Sequence, residues 1–252
     1  MGFDVAADAY DQFMGRWSQP LASQLVEFAG VDAGQRVLDV GCGPGSLTSE
    51  LVARLGPSAV AAVDPSTSFV AAARERNPGV DIRVAVAERL PFDDGTFDAA
   101  LAQLVVHFMA DPLAGIAEMA RVTRPGGVIA ACVWDYAGGR GPLGPFWTAA
   151  RALNPDVEDE SGLAGAREGH LTDLFQESSL RSVEGTALEV TRHHSGFEEW
   201  WHPFTRGVGP AGAYLASLDE HQQAELREHC RAMLPAGSFT ITARAWAARG
   251  NT

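Results

Sequence analysis

The sequence is poor in basic residues: 19 Lys and Arg stand against 32 Asp and Glu, a formal net charge of −13. With no run of Lys or Arg, it lacks the electrostatic footprint that a phosphate backbone requires, so neither nucleic acid nor an anionic membrane surface is an expected partner. Cysteine is scarce as well. Cys42, Cys132 and Cys230 lie far apart, with no C-x-x-C pair and no histidine at zinc-ligand spacing, which predicts buried thiols, a reducing compartment and no metal site. No apolar run approaches the length of a membrane span, and MGFDVAADAY has neither the basic nor the apolar region of a leader. There is no internal repeat and no low-complexity tract. A cytoplasmic protein is expected, and 252 residues with 46% hydrophobic content suffice for one sizeable core in a single domain, residues 1–252.

Strand and helix patterns alternate through the first half. SQPLASQLVEFA offers Ser18 as an N-cap, a proline in the first turn and Leu21, Leu25 and Phe28 on one face of a helix. Residues 36–40, 59–63, 82–86, 97–101 and 128–134 read as strands. Helices are expected at 47–55, at 66–76, and from the Asp111-Pro112 cap to about residue 122, with Arg124-Pro125-Gly126-Gly127 as a turn. Five such alternations predict an α/β fold with a doubly wound parallel sheet that takes ligands at the carboxyl ends of its strands. After Trp134 the pattern becomes irregular. A short helix near 146–153, an acidic VEDESG stretch, a helix over 171–177 and strands over 180–191 and 239–248 are expected, with helical sequence between those two strands.

VLDVGCGPGSLT carries the most information. Gly41, Gly43 and Gly45 leave a strand and enter a helix, where missing Cβ atoms let the chain turn sharply and let a ligand lie on the backbone. The dinucleotide fingerprint G-x-G-x-x-G/A is not met: Ser46 stands at its third small position, and Pro44 removes an N–H that a pyrophosphate would use. Asp64 ends the second strand, where a carboxylate accepts both hydroxyls of a ribose. Together these residues indicate an adenosine without a bridging phosphate.

At this point the chain resembles the class I S-adenosylmethionine-dependent methyltransferases, in particular the small-molecule branch that includes ubiquinone and menaquinone biosynthesis enzymes. The resemblance rests on VLDVGCGPG, AAVDPS, AERLPFDDGTFDAA and RVTRPGGVIA in that order, and covers residues 10–134. It implies a Rossmann-like, seven-stranded sheet with a reversed last strand and S-adenosyl-L-methionine as cofactor. It also implies Asp39 and Gly41 to Gly45 beside the methionine portion, Asp64 on the ribose, and Pro65 and Ser66 near the adenine. Ala87 and Glu88 would lie along the adenine edge, and Ala102 and Gln103 would face the amino group and sulfonium. One departure is Val86, where many relatives carry an Asp that contacts the adenine amino group; here that contact is lost or passes to Glu88. YDQFMGRWS is typical of a subset in which an N-terminal segment, here residues 1–30, folds over the cofactor. In that arrangement Tyr10 caps the site and Arg16 pairs with the methionine carboxylate.

A sulfonium methyl is already electrophilic, so the protein has mainly to align an acceptor and exclude water. His107, just past the fourth strand, is the candidate general base, with packing against the next elements as the alternative. His193, His194 and His202 are weaker candidates, for which a solvated pair and a helix-surface histidine are the favoured accounts. Of Trp200 and Trp201, one is expected inward and the other toward an acceptor pocket. Insertions at 135–170 and 196–236 are expected to form a small helical lid over a small, apolar or ring-bearing acceptor methylated at O, N or C. Acceptor identity and oligomeric state are not encoded in these motifs. Three alternatives stay open: a silent S-adenosylmethionine-binding protein, a non-methylating use of the cofactor such as cyclisation or hydroxylation, and, least favoured, an NAD-dependent oxidoreductase.

Overall fold

The computed structural model describes residues 11–252, with side chains described from Phe13 onward. A π-helical turn at Asp11–Gly15 runs directly into α1 (Arg16–Ala29). Because the chain is already helical before Ser18, that residue is not the N-cap expected from the sequence; its Oγ donates to the Met14 carbonyl at 3.0 Å. Leu21 and Leu25 are fully buried against the sheet, and Gly30 ends the helix with φ 71°.

The expected alternation follows: β1 (Val37–Val40), α2 (Ser46–Leu55), β2 (Val60–Asp64), α3 (Thr67–Arg76), β3 (Asp81–Val84), β4 (Phe97–Gln103), α4 (Pro112–Val122) and β5 (Thr123–Trp134). The helix starts carry their caps. Ser66 Oγ accepts from the Phe69 amide and an Asp111 carboxylate oxygen from the Ala114 amide. Beyond β5 come α5 (Gly144–Leu153), α6 (His170–Glu177), β6 (Arg181–His194), α7 (Phe197–Trp201), α8 (Gly209–Ser217), α9 (Glu220–Met233) and β7 (Phe239–Asn251).

The seven strands form one sheet in the order β3-β2-β1-β4-β5-β7-β6. β1 to β5 run parallel, whereas β7 enters antiparallel between β5 and β6. This is a Rossmann-like doubly wound sheet with a reversed last strand. The order reverses direction between β1 and β4, so their carboxyl ends diverge and leave a crevice between the loops that follow them.

Three local expectations are corrected. The third strand stops at Val84, because β3 is the sheet edge: Ile82 is buried while Val84 and Val86 are exposed. The Arg124 to Gly127 stretch is no separate turn. It belongs to β5 as an irregularity where pairing with β4 jumps from Phe97↔Thr123 to Ala99↔Val128, with Gly126 at φ 78°. Trp200 and Trp201 do not divide between core and pocket. Both are buried in an aromatic cluster in which Phe146 of α5 stacks on Phe204, ring centroids 4.6 Å apart and planes at 6°. That cluster, together with α5 against α9, joins the two insertions to each other.

The three cysteines are buried and free. No described helix is long and apolar enough to cross a membrane.

Candidate active site

The loop after β1 is drawn back over β2: the amides of Gly41 and Cys42 both donate to the Val63 carbonyl, at 2.8 and 2.9 Å. That bend requires left-handed backbone, and Gly41, Gly43 and Gly45 have φ values of 73°, 52° and 97°. Gly41 also lies so close to Val105 that a Cβ would stand 2.4 Å from its Cγ2, while a Cβ on Gly43 would meet nothing within 4 Å. Gly43 is therefore the bare backbone over which a ligand can lie.

Three polar side chains from neighbouring strand ends converge on this loop. Asp64, at the end of β2, accepts the Gly43 amide on Oδ2 and the Ser66 amide on Oδ1, each at 2.8 Å. Burial raises its pKa, and these two amides work against the shift. Asp39, in β1, accepts the Thr48 hydroxyl on Oδ2 at 2.6 Å. It is buried more deeply, and desolvation pushes its pKa up to about 7, opposed by Thr48 and reinforced by the negative charge of Asp64. Gln103, ending β4, donates its Nε2 to the Ser18 carbonyl at 2.9 Å. Asp39 Oδ1 and Gln103 Oε1 are buried and have no hydrogen-bond partner among the described residues.

Two unpartnered acceptor oxygens beside an acidic pair want a ligand that donates hydrogen bonds and carries positive charge. The ammonium of a methionine moiety meets that need, and vicinal ribose hydroxyls meet the remaining lone pairs of Asp64. A pyrophosphate on the same loop would face two carboxylates. The residues thus fit S-adenosylmethionine and suit a dinucleotide poorly.

The cleft holds about 390 Å³ and is lined by seven of the residues singled out from the sequence: Asp39, Gly41, Gly43, Asp64, Pro65, Ser66 and Gln103. The others stand elsewhere. Gly45 faces Asn77 at the start of α2, and Ala102 and Ala87 are buried and do not line the cleft. Glu88 uses Oε1 to hold the amides of Ala110 and Asp111, at 2.7 and 3.2 Å, so the loop before α4 occupies the oxygen expected at the adenine. Arg16 is ion-paired to Glu199 at 3.1 Å and lines a different cavity, not the position expected for a carboxylate partner. Tyr10 lies outside the described residues. Sequence reasoning missed Ser18, Phe69, Leu104 and Phe108 as lining residues. Leu104 carries a signal visible only in the structure: φ of 61° in a residue with a branched side chain.

His107, the candidate base, is buried and does not line this cleft. It faces a second, smaller cavity of about 30 Å³ whose wall includes Leu104 and Phe108, residues shared with the cleft. Desolvation depresses its pKa to about 3, so the ring is neutral at ordinary pH. His194, expected at the surface, is buried with both ring nitrogens unpartnered among the described residues, and its pKa falls to about 4; His193 beside it is exposed.

Comparison with known proteins agrees with this geometry. A family model described as a methyltransferase domain matches residues 38–131. An uncharacterised Mycobacterium tuberculosis protein is 31% identical over 223 residues, 82% of this chain and 79% of that one. Demethylmenaquinone methyltransferase of Renibacterium salmoninarum is 36% identical over 154 residues, 58% of this chain and 61% of that protein. Some relatives are longer: the chain spans 43% of an uncharacterised Streptomyces fradiae transposon protein. Among solved structures, geranyl diphosphate C-methyltransferase from Streptomyces coelicolor, in complex with S-adenosyl-L-homocysteine, shares the fold with a TM-score of 0.55 at 16% identity, covering 94% of this chain and 80% of that one. The methyltransferase match begins in β1 and ends within β5, and so takes in every strand end around the cleft. The chain belongs to the class I S-adenosylmethionine-dependent methyltransferases, enzymes for which S-adenosylmethionine is the methyl donor.

Proposed function

We propose that the acceptor is a small organic molecule, methylated at O, N or C beneath a lid made by residues 135–170 and 196–236. The observation that carries this reading is the pair of buried, unpartnered oxygens on Asp39 and Gln103 at the glycine loop, with aromatic-rich insertions closing the space beyond. Asp39 and Gln103 hold the cofactor's ammonium, Asp64 its ribose hydroxyls, Gly41 and Gly43 its backbone-facing edge, and Pro65 and Ser66 flank the adenine. When bound, the cofactor supplies an electrophilic methyl on sulfur. The protein's part is orientation and water exclusion, worth on the order of 7 to 11 kcal/mol where alignment is good. Neutral His107 lies on the acceptor side as a hydrogen-bond acceptor.

An acceptor of this size suits the enclosed, apolar surroundings of Leu104 and Phe108 better than a macromolecule, which needs an open complementary surface. The three separate buried thiols support a cytoplasmic setting.

Calorimetric titration with S-adenosylmethionine and with NAD, on the parent and on Asp64→Ala, tests the cofactor assignment. Micromolar binding of the sulfonium compound that collapses in the variant supports the reading. Preferential binding of NAD overturns it. Product analysis against a panel of phenolic, amine and carbon acceptors then tests the acceptor class, and binding without turnover of any member would leave a silent cofactor-binding protein.

A further inference from the structure

Beyond the wall made by Leu104 and Phe108, polar groups meet in the smaller cavity without the partners that would make them purely structural. Both ring nitrogens of His107 and the Trp134 indole Nε1 have no hydrogen-bond partner among the described residues. Glu160 lines the same cavity. Only 3% exposed, it accepts the Trp147 indole N–H on Oε2 at 2.8 Å and a further hydrogen bond from the Tyr136 hydroxyl. No cation pairs with it among the described residues; the nearby Arg151 is ion-paired to Asp159 instead. Burying a carboxylate without a cation is costly, and a glutamine would accept the same two hydrogen bonds without that cost. Glu160 differs from a glutamine in that place by being able to gain and lose a proton.

We propose that Glu160 takes the proton from the acceptor's reacting O–H group, and that the acceptor is a phenol or enol whose hydroxyl enters the cavity lined by His107 and Glu160. This rests on the methyl-transfer reading above. The acceptor oxygen forms its bond to the methyl carbon as the carbon–sulfur bond breaks and leaves its electron pair on sulfur; the O–H proton passes to Glu160, so no further reactant is required.

Proton affinity separates the two candidates. His107, with its pKa near 3, stays neutral and is a weak base. Burial pushes Glu160 up to about 7, against the hydrogen bonds of Trp147 and Tyr136 and with a contribution from the neighbouring Asp159. A base is most effective when its pKa lies near the working pH. The titratable and charged groups around Glu160 are Asp159 on its own turn, the Arg151 paired with it, Tyr136 after β5, and His107 in the cavity wall. Tyr136 and Trp147 are positioning residues: they fix the carboxylate without touching the acceptor's reacting atom. At about 30 Å³ the cavity has room for water and not for a ring. Entry therefore requires the wall of Leu104 and Phe108, which this cavity shares with the cleft, to part so that one hydroxyl reaches both Glu160 and the methyl donor.

The test uses 4-nitrophenol as probe, with the full chain saturated with S-adenosylhomocysteine. Absorbance titration is expected to show binding to the parent that weakens tenfold or more in Glu160→Gln, while calorimetry gives the two proteins the same S-adenosylmethionine affinity. Infrared difference spectra should contain a carboxyl band that titrates near pH 7 in the parent, moves when 4-nitrophenol is added and is missing from Glu160→Gln. Tyr136→Phe should keep the band with a higher midpoint, since it loses a hydrogen bond that stabilises the carboxylate. The proposal is overturned if Glu160→Gln binds 4-nitrophenol as the parent does, if the parent does not bind it, or if no carboxyl band responds to Tyr136→Phe and to the probe. A parent that binds no S-adenosylmethionine overturns the methyl-transfer reading itself, and that outcome is read before any probe is added.

Discussion

Asp64 Oδ2 accepts the Gly43 amide at 2.8 Å, so the carboxylate that ends β2 also fixes the backbone of the loop that leaves β1. Two strand ends are locked together before any ligand arrives. Removing the carboxylate therefore has a structural cost in addition to its effect on binding. Asp64→Ala frees two partly buried amides, and hydrogen bonds to charged groups are worth about 1.5 to 3 kcal/mol each. We expect the variant to melt several degrees below the parent by calorimetry and to bind S-adenosylmethionine at least tenfold more weakly. Asp64→Asn, which keeps an acceptor for one amide, should recover part of the melting temperature and little of the affinity.

Cofactor affinity should depend on pH through Asp39. Burial raises its folded-state pKa from the ordinary carboxylate range to about 7, so its contribution to the stability of the free protein is complete at acid pH and is lost as pH rises toward 7, a span worth on the order of 4 kcal/mol. A cationic ligand prefers the ionised carboxylate. S-adenosylmethionine should bind more tightly as pH rises through about 7, while the free protein loses stability over the window below it. Calorimetric titrations across this range, beside Asp39→Asn, check the assignment; the variant should show weak and flat affinity.

Gly41→Ala should be destabilising on two counts. The residue sits at φ 73°, where a side chain costs about 1 to 2 kcal/mol, and its Cβ would collide with Val105 Cγ2. Adding Val105→Ala relieves the second cost and leaves the first. Chemical denaturation should therefore place the double variant between Gly41→Ala and the parent once the separate cost of Val105→Ala is subtracted.

Arg16→Ala should bind S-adenosylmethionine as the parent does, since Arg16 pairs with Glu199 outside the cofactor cleft. The lost ion pair is partly exposed on both sides, and such pairs contribute about 0 to 1 kcal/mol. Glu199 keeps Arg192 and the amide and hydroxyl of Ser195. A tenfold loss of affinity on titration would return Arg16 to the cofactor.

The contrast between Asp39 and Glu160 shows what the sequence encodes locally. Asp39 lies in a short apolar strand before a glycine loop, a pattern in which residue type, spacing and element all point to one crevice. Glu160 lies in VEDESG, where acidity suggests a solvated surface, yet it is buried against Trp147 of α5. Nothing within a 3-10 turn of three residues has a period from which an inward face can be read. Its burial depends on tertiary contacts between an insertion and the end of β5. The same holds for Trp200, Trp201 and His194, whose surroundings are assembled from both insertions and α1. Ser18 failed for a different reason: it has a good cap side chain, but the preceding π-helical turn moves the helix start upstream.

β6 ends at His194 and β7 begins at Phe239, and these two residues are register partners in the sheet. Everything in residues 195–238 therefore leaves and re-enters the sheet at one point, so the strand ladder already holds its two ends side by side. Exchange of that stretch between relatives, or its replacement by a tight turn, need not alter the register of any other strand. On the proposed reading, this part of the lid can be exchanged as a cassette without disturbing the strand ends around the cleft.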